Sequence, residues 1–314
     1  MTTAATAPAS RVFLFLQGPH GPFFDTLGAM LRKAGCGVWR VGFNAGDRAF
    51  WRDRASYLAF TAPPADWPET FERLLAEKGV TDLVLYGDAR PVHAAAAARA
   101  RAQGVTVHVF EEGYIRPYWV TYERGGSNGN SRLMEMSVAE MQAALASCDL
   151  EHPLPPAHWG DMRQHIFYGA LYHAHVMLRN RAYPSFAPHR ELPVTREFSL
   201  YLRRLLSMPV HAMERALATS RIRRGGFPYH LVLLQLEHDS SFRAHSPFAS
   251  MTEFVELCVA EFARGAPRHH HLVVKAHPLE DGRTALRATL RRAAASEGVA
   301  ERVHYVRGGK LARL

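Results

Sequence analysis

The feature that most restricts the fold of this chain is a repeated alternation. Short apolar runs ending in glycine or an acidic residue are each followed by a segment whose apolar residues recur at helical spacing. "RVFLFLQG" (11–18) leads into "FFDTLGAMLRKAG", which stops at Gly35, and "CGVWRVGFN" is a second strand-like run. "WPETFERLLAEKG" predicts a helix with Pro68 in its first turn, "TDLVLYGD" a third strand, and the alanine-rich "PVHAAAAARARAQG" another helix. "VTVHVFEEGY" is a fourth strand running into an acidic turn. Strands joined by helices of this length predict βα units on a parallel sheet. The rhythm breaks at about residue 125, where "GGSNGNS" reads as a flexible turn and "SVAEMQAALASCD" as a helix capped by Ser137, with Glu140 completing a capping box. Arginine-dense sequence follows, including Arg163, Arg179, Arg181, Arg190, Arg196, Arg203, Arg204, Arg215, Arg221, Arg223 and Arg224. The alternation resumes with "YHLVLLQLEHD", "SMTEFVELCVAEFARGA" and "HHLVVKAHP". The expected division is an α/β domain over 1–125, a helical insert and linker over 126–227, and the start of a second α/β domain over 228–314.

Length and composition agree with two cores: 314 residues, of which 47% are hydrophobic. The formal charge of +9 is mostly an arginine excess, which suits phosphate-bearing partners. The arginines are not interleaved with aromatics in a nucleic-acid-binding pattern, so no nucleic-acid partner is expected. Cys36, Cys148 and Cys258 lack the spacing of a disulfide framework or a zinc site. "HHH" at 269–271 is no metal site either, because successive strand residues point to opposite faces, and no metal or cofactor is expected. No secretory leader and no apolar run of about 18 residues stands out, which predicts a cytoplasmic protein that does not span a membrane. "HIFYGALYHAHVML" (165–178), within the basic segment 163–224, could lie in an anionic interface.

Three strand ends carry chemistry. "LQGPHGPFF" sets Gln17, Gly18, Pro19 and Gly21 where the first strand meets its helix, a place where the backbone can approach an anion, although an ordinary tight turn has the same composition. Glu111 and Glu112 end the fourth strand with Gly113 to turn the chain; mutual repulsion would raise the pKa of one and make it a general base, whereas a solvated acidic turn would not. In "VVKAHPLEDG" an apolar strand runs into Lys275, His277 and Pro278, and the cation and imidazole share one face if the strand continues to 277. Polar groups at the carboxyl ends of parallel strands are where α/β proteins hold ligands.

These motifs, with "FEEGYIRPYWVTYE" and "LQLEHDSSFRAHSPF", resemble the capsule polysaccharide biosynthesis family of KpsS and LipB type. They also resemble, more broadly, the GT-B transferases that use CMP-activated acidic sugars, with their paired acids before glycine and their His-Pro motif. The resemblance implies a GT-B-like α/β architecture of two Rossmann-like domains facing a cleft, of which the second here is short and expected to be incomplete. It implies a retaining β-Kdo transferase moving Kdo from CMP-Kdo to a phosphatidylglycerol-type lipid at the inner face of the cytoplasmic membrane, alongside other capsule assembly proteins. By carry-over Glu111 or Glu112 is catalytic and His277 of the His277-Pro278 motif binds the donor, with Lys275, read from the same strand end, joining Pro278 in the donor site. A retaining double displacement also needs a nucleophile, which leaves Glu111, Glu112 and Asp239 open. Gln17, Gly18, Pro19, Gly21, Gly113, Tyr114, Arg116, His238, Arg243 and His245 fall on the cleft and acceptor side. A non-catalytic scaffold in a capsule export complex is the alternative.

Overall fold

The structure, a computed structural model, describes residues 11–112, 120–148, 162–185, 194–277, 280, 282, 284–308 and 314. The chain divides into two compact units, Met1–Ala187 and Pro188–Leu314. The stretch expected to be one insert is thus shared between them.

In the first unit the elements are β1 (Val12–Phe15), α1 (Phe23–Lys33), β2 (Gly37–Gly42), α2 (Ala45–Ala49), β3 (Tyr57–Ala59) and α3 (Trp67–Lys78). They continue with β4 (Asp82–Tyr86), α4 (Pro91–Ala102), β5 (Thr106–Glu112), β6 (Val120–Arg124), α5 (Val138–Ala146) and α6 (Met162–Arg179). Among the described residues they build a six-stranded sheet ordered β3-β2-β1-β4-β5-β6, parallel except for β6, which runs antiparallel to β5. β1 and β4 lie at its centre, so their runs Phe13–Leu16 and Leu83–Leu85 are buried on both faces, as apolar strands covered by helices must be. One face packs Leu14, Leu16, Leu83 and Leu85 against Trp67, Phe71 and Ala96; the other packs Phe13, Phe15 and Val84 against Phe24 and Trp51. Pro68 lies in the first turn of α3 and Gly79 closes that helix at φ +59, the expected asymmetry of proline start and glycine stop. The Ser137–Glu140 capping box of α5 has both hydrogen bonds.

The second unit contains α7 (Val194–Gly225), β7 (Tyr229–Leu233), α8 (Ser240–His245), α9 (Met251–Gly265), β8 (His271–Lys275), α10 (Leu286–Ser296) and β9 (Val303–Val306). Its sheet is all parallel, ordered β7-β8-β9. α9 and α10 cover one face around Met251, Val255, Val259, Leu272, Val274 and Leu290, and Ile222 of α7 packs on the other beside Val273 and Val306. Two α/β units, each on a parallel-dominated sheet, agree with the strand-helix rhythm of the sequence.

Candidate active site

The carboxyl ends of the parallel strands position the polar residues of each unit. In the first unit Glu111 stands at the penultimate position of β5. Its two carboxylate oxygens accept from Ser127 Oγ at 3.0 Å and from Asn128 Nδ2 at 2.8 Å. Asn128 sits in the left-handed region at φ 52, a conformation asparagine tolerates. Asp88, in the turn after β4, is buried and accepts from Ser127 N at 3.2 Å, Ser127 Oγ at 3.3 Å and Asn130 Nδ2 at 3.1 Å. The Ser127 hydroxyl has one proton and two carboxylates in reach, so it ties Glu111 and Asp88 into one cluster. "GGSNGNS" is therefore a set of donors for two acids.

Glu112 is exposed and lies on the opposite face from Glu111, because successive residues of a paired strand alternate. The expected repulsion between adjacent carboxylates therefore lacks its geometric basis; the acid nearer to Glu111 through shared hydrogen bonds is Asp88.

Gln17 follows β1 and is buried. Its Oε1 accepts from Arg90 at 3.0 Å and its Nε2 donates to the Tyr172 hydroxyl at 3.0 Å. That hydroxyl also accepts from Asn44 Nδ2 at 2.7 Å and donates to Asp47 Oδ1 at 3.2 Å. Asp47 accepts from the Phe43 backbone N–H at 2.9 Å and faces Arg40 at 3.6 Å, both side chains being buried. Burial pushes the Asp47 carboxyl above its usual range against the pull of Arg40. Gln17 thus belongs to a buried network that straps α6 onto the carboxyl edge of the sheet, and Arg90 is the cation this network orients. Gly18 and Gly21 serve close packing: a Cβ would meet Phe24 at 2.6 Å on Gly18 and Tyr168 at 3.1 Å on Gly21, whose φ is +111. Pro19 lies half-buried in the same turn.

In the second unit Lys275 is the last residue of β8 and is 6% exposed. Its ammonium has no hydrogen-bond or ion-pair partner among the described residues, and burial, reinforced by Arg215, lowers its pKa. Ala276 still bonds to Val306 at 2.9 Å, and half-buried His277 follows just past the strand. After β7, the Glu237 carboxylate accepts from the Met251 N–H that opens α9 at 2.9 Å, beside half-buried His238. Asp239 is exposed and its carbonyl accepts from the Arg243 N–H at 3.2 Å. Arg243 is exposed, and the Nε2 of half-buried His245 has no hydrogen-bond partner among the described residues. Gly113, Tyr114, Arg116 and Pro278 lie outside the described residues. Asp88, Arg90, Ser127 and Asn128 are the site residues that the sequence reading missed; "YGD" at the end of a central strand was the available signal for Asp88.

The sequence comparisons converge. The family described as capsule polysaccharide biosynthesis protein matches residues 81–314. The capsule polysaccharide export protein KpsS of Escherichia coli is 30% identical over 302 residues, covering 95% of this chain and 76% of that protein. The capsule polysaccharide modification protein LipB of Neisseria meningitidis serogroup B is 28% identical over 271 residues, covering 86% of this chain and 65% of LipB, so the chain spans just under two thirds of LipB's length. A glycosyltransferase from Rickettsia africae superimposes over 96% of this chain and 69% of its own, with a TM-score of 0.31 and 5% identity, a likeness too distant to carry argument. With its acidic β5 terminus, its lysine-histidine β8 terminus and a family match over most of its length, the chain belongs to the capsule polysaccharide biosynthesis protein family.

Proposed function

We propose that this protein is a GT-B-type glycosyltransferase that moves Kdo from CMP-Kdo to a phosphatidylglycerol-type lipid, with retention, in concert with other capsule assembly proteins. The observation that carries the reading is Lys275. Its ammonium has no counter-charge among the described residues, burial and Arg215 both disfavour its charged form, and an anion at the carboxyl end of β8 would answer that charge. The CMP phosphate is such an anion, with His277 two residues away as a second donor.

The chemistry follows from the carboxylates. Glu111 attacks the anomeric carbon as the bond from that carbon to the CMP phosphate oxygen breaks, and CMP leaves with the electron pair. The acceptor hydroxyl oxygen then displaces the carboxylate and yields its proton to a carboxylate base, the role we assign to Asp88, which shares the Ser127 hydroxyl with Glu111. Two side-chain donors fix the orientation of Glu111, as an attacking carboxylate requires.

Docking at the inner face of the cytoplasmic membrane is part of the same reading. No helix among the described residues is long and apolar enough to cross a membrane. α7 instead exposes Leu206, Val210, Met213 and Leu217, spaced as one helical stripe, along with Arg221, Arg223 and Arg224. Each basic residue near an anionic surface adds about 1 kcal/mol of attraction.

Calorimetry with CMP tests the donor site. Lys275→Met and His277→Ala are expected to weaken binding at least tenfold, each removing a hydrogen bond worth about 1.5 to 3 kcal/mol to a charged group. Wild-type affinity in both variants would remove the phosphate from this strand end.

A further inference from the structure

In the first unit, the sheet face that packs on Phe24 and Trp51 also carries a row of polar side chains. The strand register sets Asp82 of β4, His108 of β5 and Tyr122 of β6 on that face in a diagonal, each two residues further along the sheet than the last. His108 is buried between its two neighbours, with Nε2 2.7 Å from Asp82 Oδ1 and Nδ1 2.7 Å from the Tyr122 hydroxyl.

The direction of these bonds follows from Asp82. Burial alone would raise its pKa, but hydrogen bonds from Arg11, Thr81 and His108 hold the carboxyl below its usual range, so at neutral pH it is ionised and can only accept. A neutral His108 therefore carries its proton on Nε2, which leaves the Nδ1 lone pair to accept from the Tyr122 O–H. Arg124 holds its Nε–H 3.4 Å from the same phenol oxygen, a cation beside the charge that deprotonation would create. The Tyr122 ring rests on Phe110 at 4.9 Å between centroids, yet the residue is 45% exposed and stands open to solutes. Other tyrosines are placed differently: burial pushes the Tyr57 and Tyr172 phenols up, and Tyr229 donates to the Leu314 carbonyl. A hydroxyl, an imidazole that accepts its proton and a carboxylate that fixes the imidazole are the parts of an activated nucleophile.

We propose that Tyr122 is a nucleophilic tyrosine that accepts acyl groups from activated esters. Its phenol oxygen attacks the ester carbonyl carbon while the phenolic proton passes to His108 Nδ1. The new oxygen–carbon bond replaces the bond to the leaving oxygen, which departs with its electron pair and takes the proton back from His108. Asp82 does not touch the reacting atoms and is a positioning residue for His108. Tyr122 lies on the opposite face of the sheet from Glu111, and Asp88, Lys275 and His277 take no part, so the inference stands or falls apart from the transferase reading.

The test uses p-nitrophenyl acetate with the full chain. Nitrophenolate should appear in a burst of one equivalent, the intact mass should rise by one acetyl group, and peptide mapping should place that group on Tyr122 among the 11 tyrosines. Tyr122→Phe, which keeps the ring on Phe110, should lose the burst, and His108→Gln and Asp82→Asn should slow it at least tenfold. The pH profile separates proton transfer from mere stability. An ordinary phenol reacts through its phenolate, whose fraction rises about tenfold per pH unit below a pKa near 10. Between pH 7.5 and 8.5 acetylation of Tyr122 should rise less than about threefold in the wild type and about tenfold in His108→Gln and Asp82→Asn. Acetyl groups spread over several residues at similar rates, a tenfold rise per pH unit in the wild type, or a Tyr122 burst unchanged in His108→Gln would each overturn the inference.

Discussion

Removing one oxygen atom at Tyr172 should destabilise the first unit more than most substitutions of full side chains at its surface. In Tyr172→Phe the ring keeps its stacking on Phe50 and His20, so no cavity opens. What disappears is the acceptor for Gln17 Nε2 and Asn44 Nδ2 and the donor to Asp47. A buried polar group left unsatisfied costs about 1 to 3 kcal/mol, and two neutral donors lose their partner here. Asp47 keeps its bond from Phe43 and its pairing with Arg40, so the loss at the carboxylate is partial. The sum, reduced by local relaxation, is about 2 to 4 kcal/mol. For a unit of this size each kcal/mol moves the midpoint by roughly 2 to 4 °C, which predicts a fall of about 4 to 16 °C by scanning calorimetry. Tyr122→Phe, which removes a hydroxyl bonded to His108 at the exposed edge of the sheet, should cost about 1 kcal/mol or less and serves as the comparison. A Tyr172→Phe midpoint no lower than that of Tyr122→Phe would refute the claim that this network straps α6 to the sheet.

Lys275→Met should raise the melting temperature of the second unit while weakening CMP binding, because it replaces a cation whose charged form burial and Arg215 disfavour by an apolar side chain of similar length; a lower melting temperature would place an internal partner at Lys275. His271 and His304 share a 2.8 Å hydrogen bond and stack with Phe227, and both are held below their ordinary value near 6.5, first by burial. The unfolded chain therefore binds protons more readily than the folded one, and the second unit should lose stability as pH falls through 6.5. His304→Gln should flatten the melting profile between pH 7.5 and 5.5, and a slope identical to wild type would exclude this pair as its source. Glu111→Gln and Asp88→Asn should each abolish transfer with CMP affinity retained, whereas Glu112→Gln, on the other face of β5, should retain most activity; the reverse order in a transfer assay would reassign the acid. Binding to phosphatidylglycerol vesicles should fall when Leu206, Val210 and Met213 become serine, and equal flotation of wild type and variant would remove α7 from the membrane surface.

The central strands were legible because burial on both faces leaves an uninterrupted apolar run between turn residues, as in Phe13–Leu16 and Leu83–Leu85. Other elements lacked that signal. β3 has three residues, and β6, "VTYER", lies at the antiparallel edge, where partial exposure admits polar side chains. α7 was obscured by its arginines and by Pro209, which an intact helical run accommodates. Glu111 could be found because a strand end, an acid and a glycine are adjacent in sequence. Its partners could not: Ser127 and Asn128 lie in a segment whose composition is that of a flexible turn, and Asp88 meets Glu111 only through Ser127. Gln17 was correctly placed at the strand end, but its occupation by Tyr172, 155 residues away, is a product of tertiary packing that no local pattern encodes.

The central claim, Kdo transfer to a lipid, is tested most directly by mass spectrometry of a fluorescent phosphatidylglycerol analogue after incubation with CMP-Kdo and the protein. The account predicts that the lipid gains the mass of one Kdo residue while CMP is released, and that Glu111→Gln yields no product. Lipid recovered at its original mass, from protein that binds CMP in the same buffer, would contradict it.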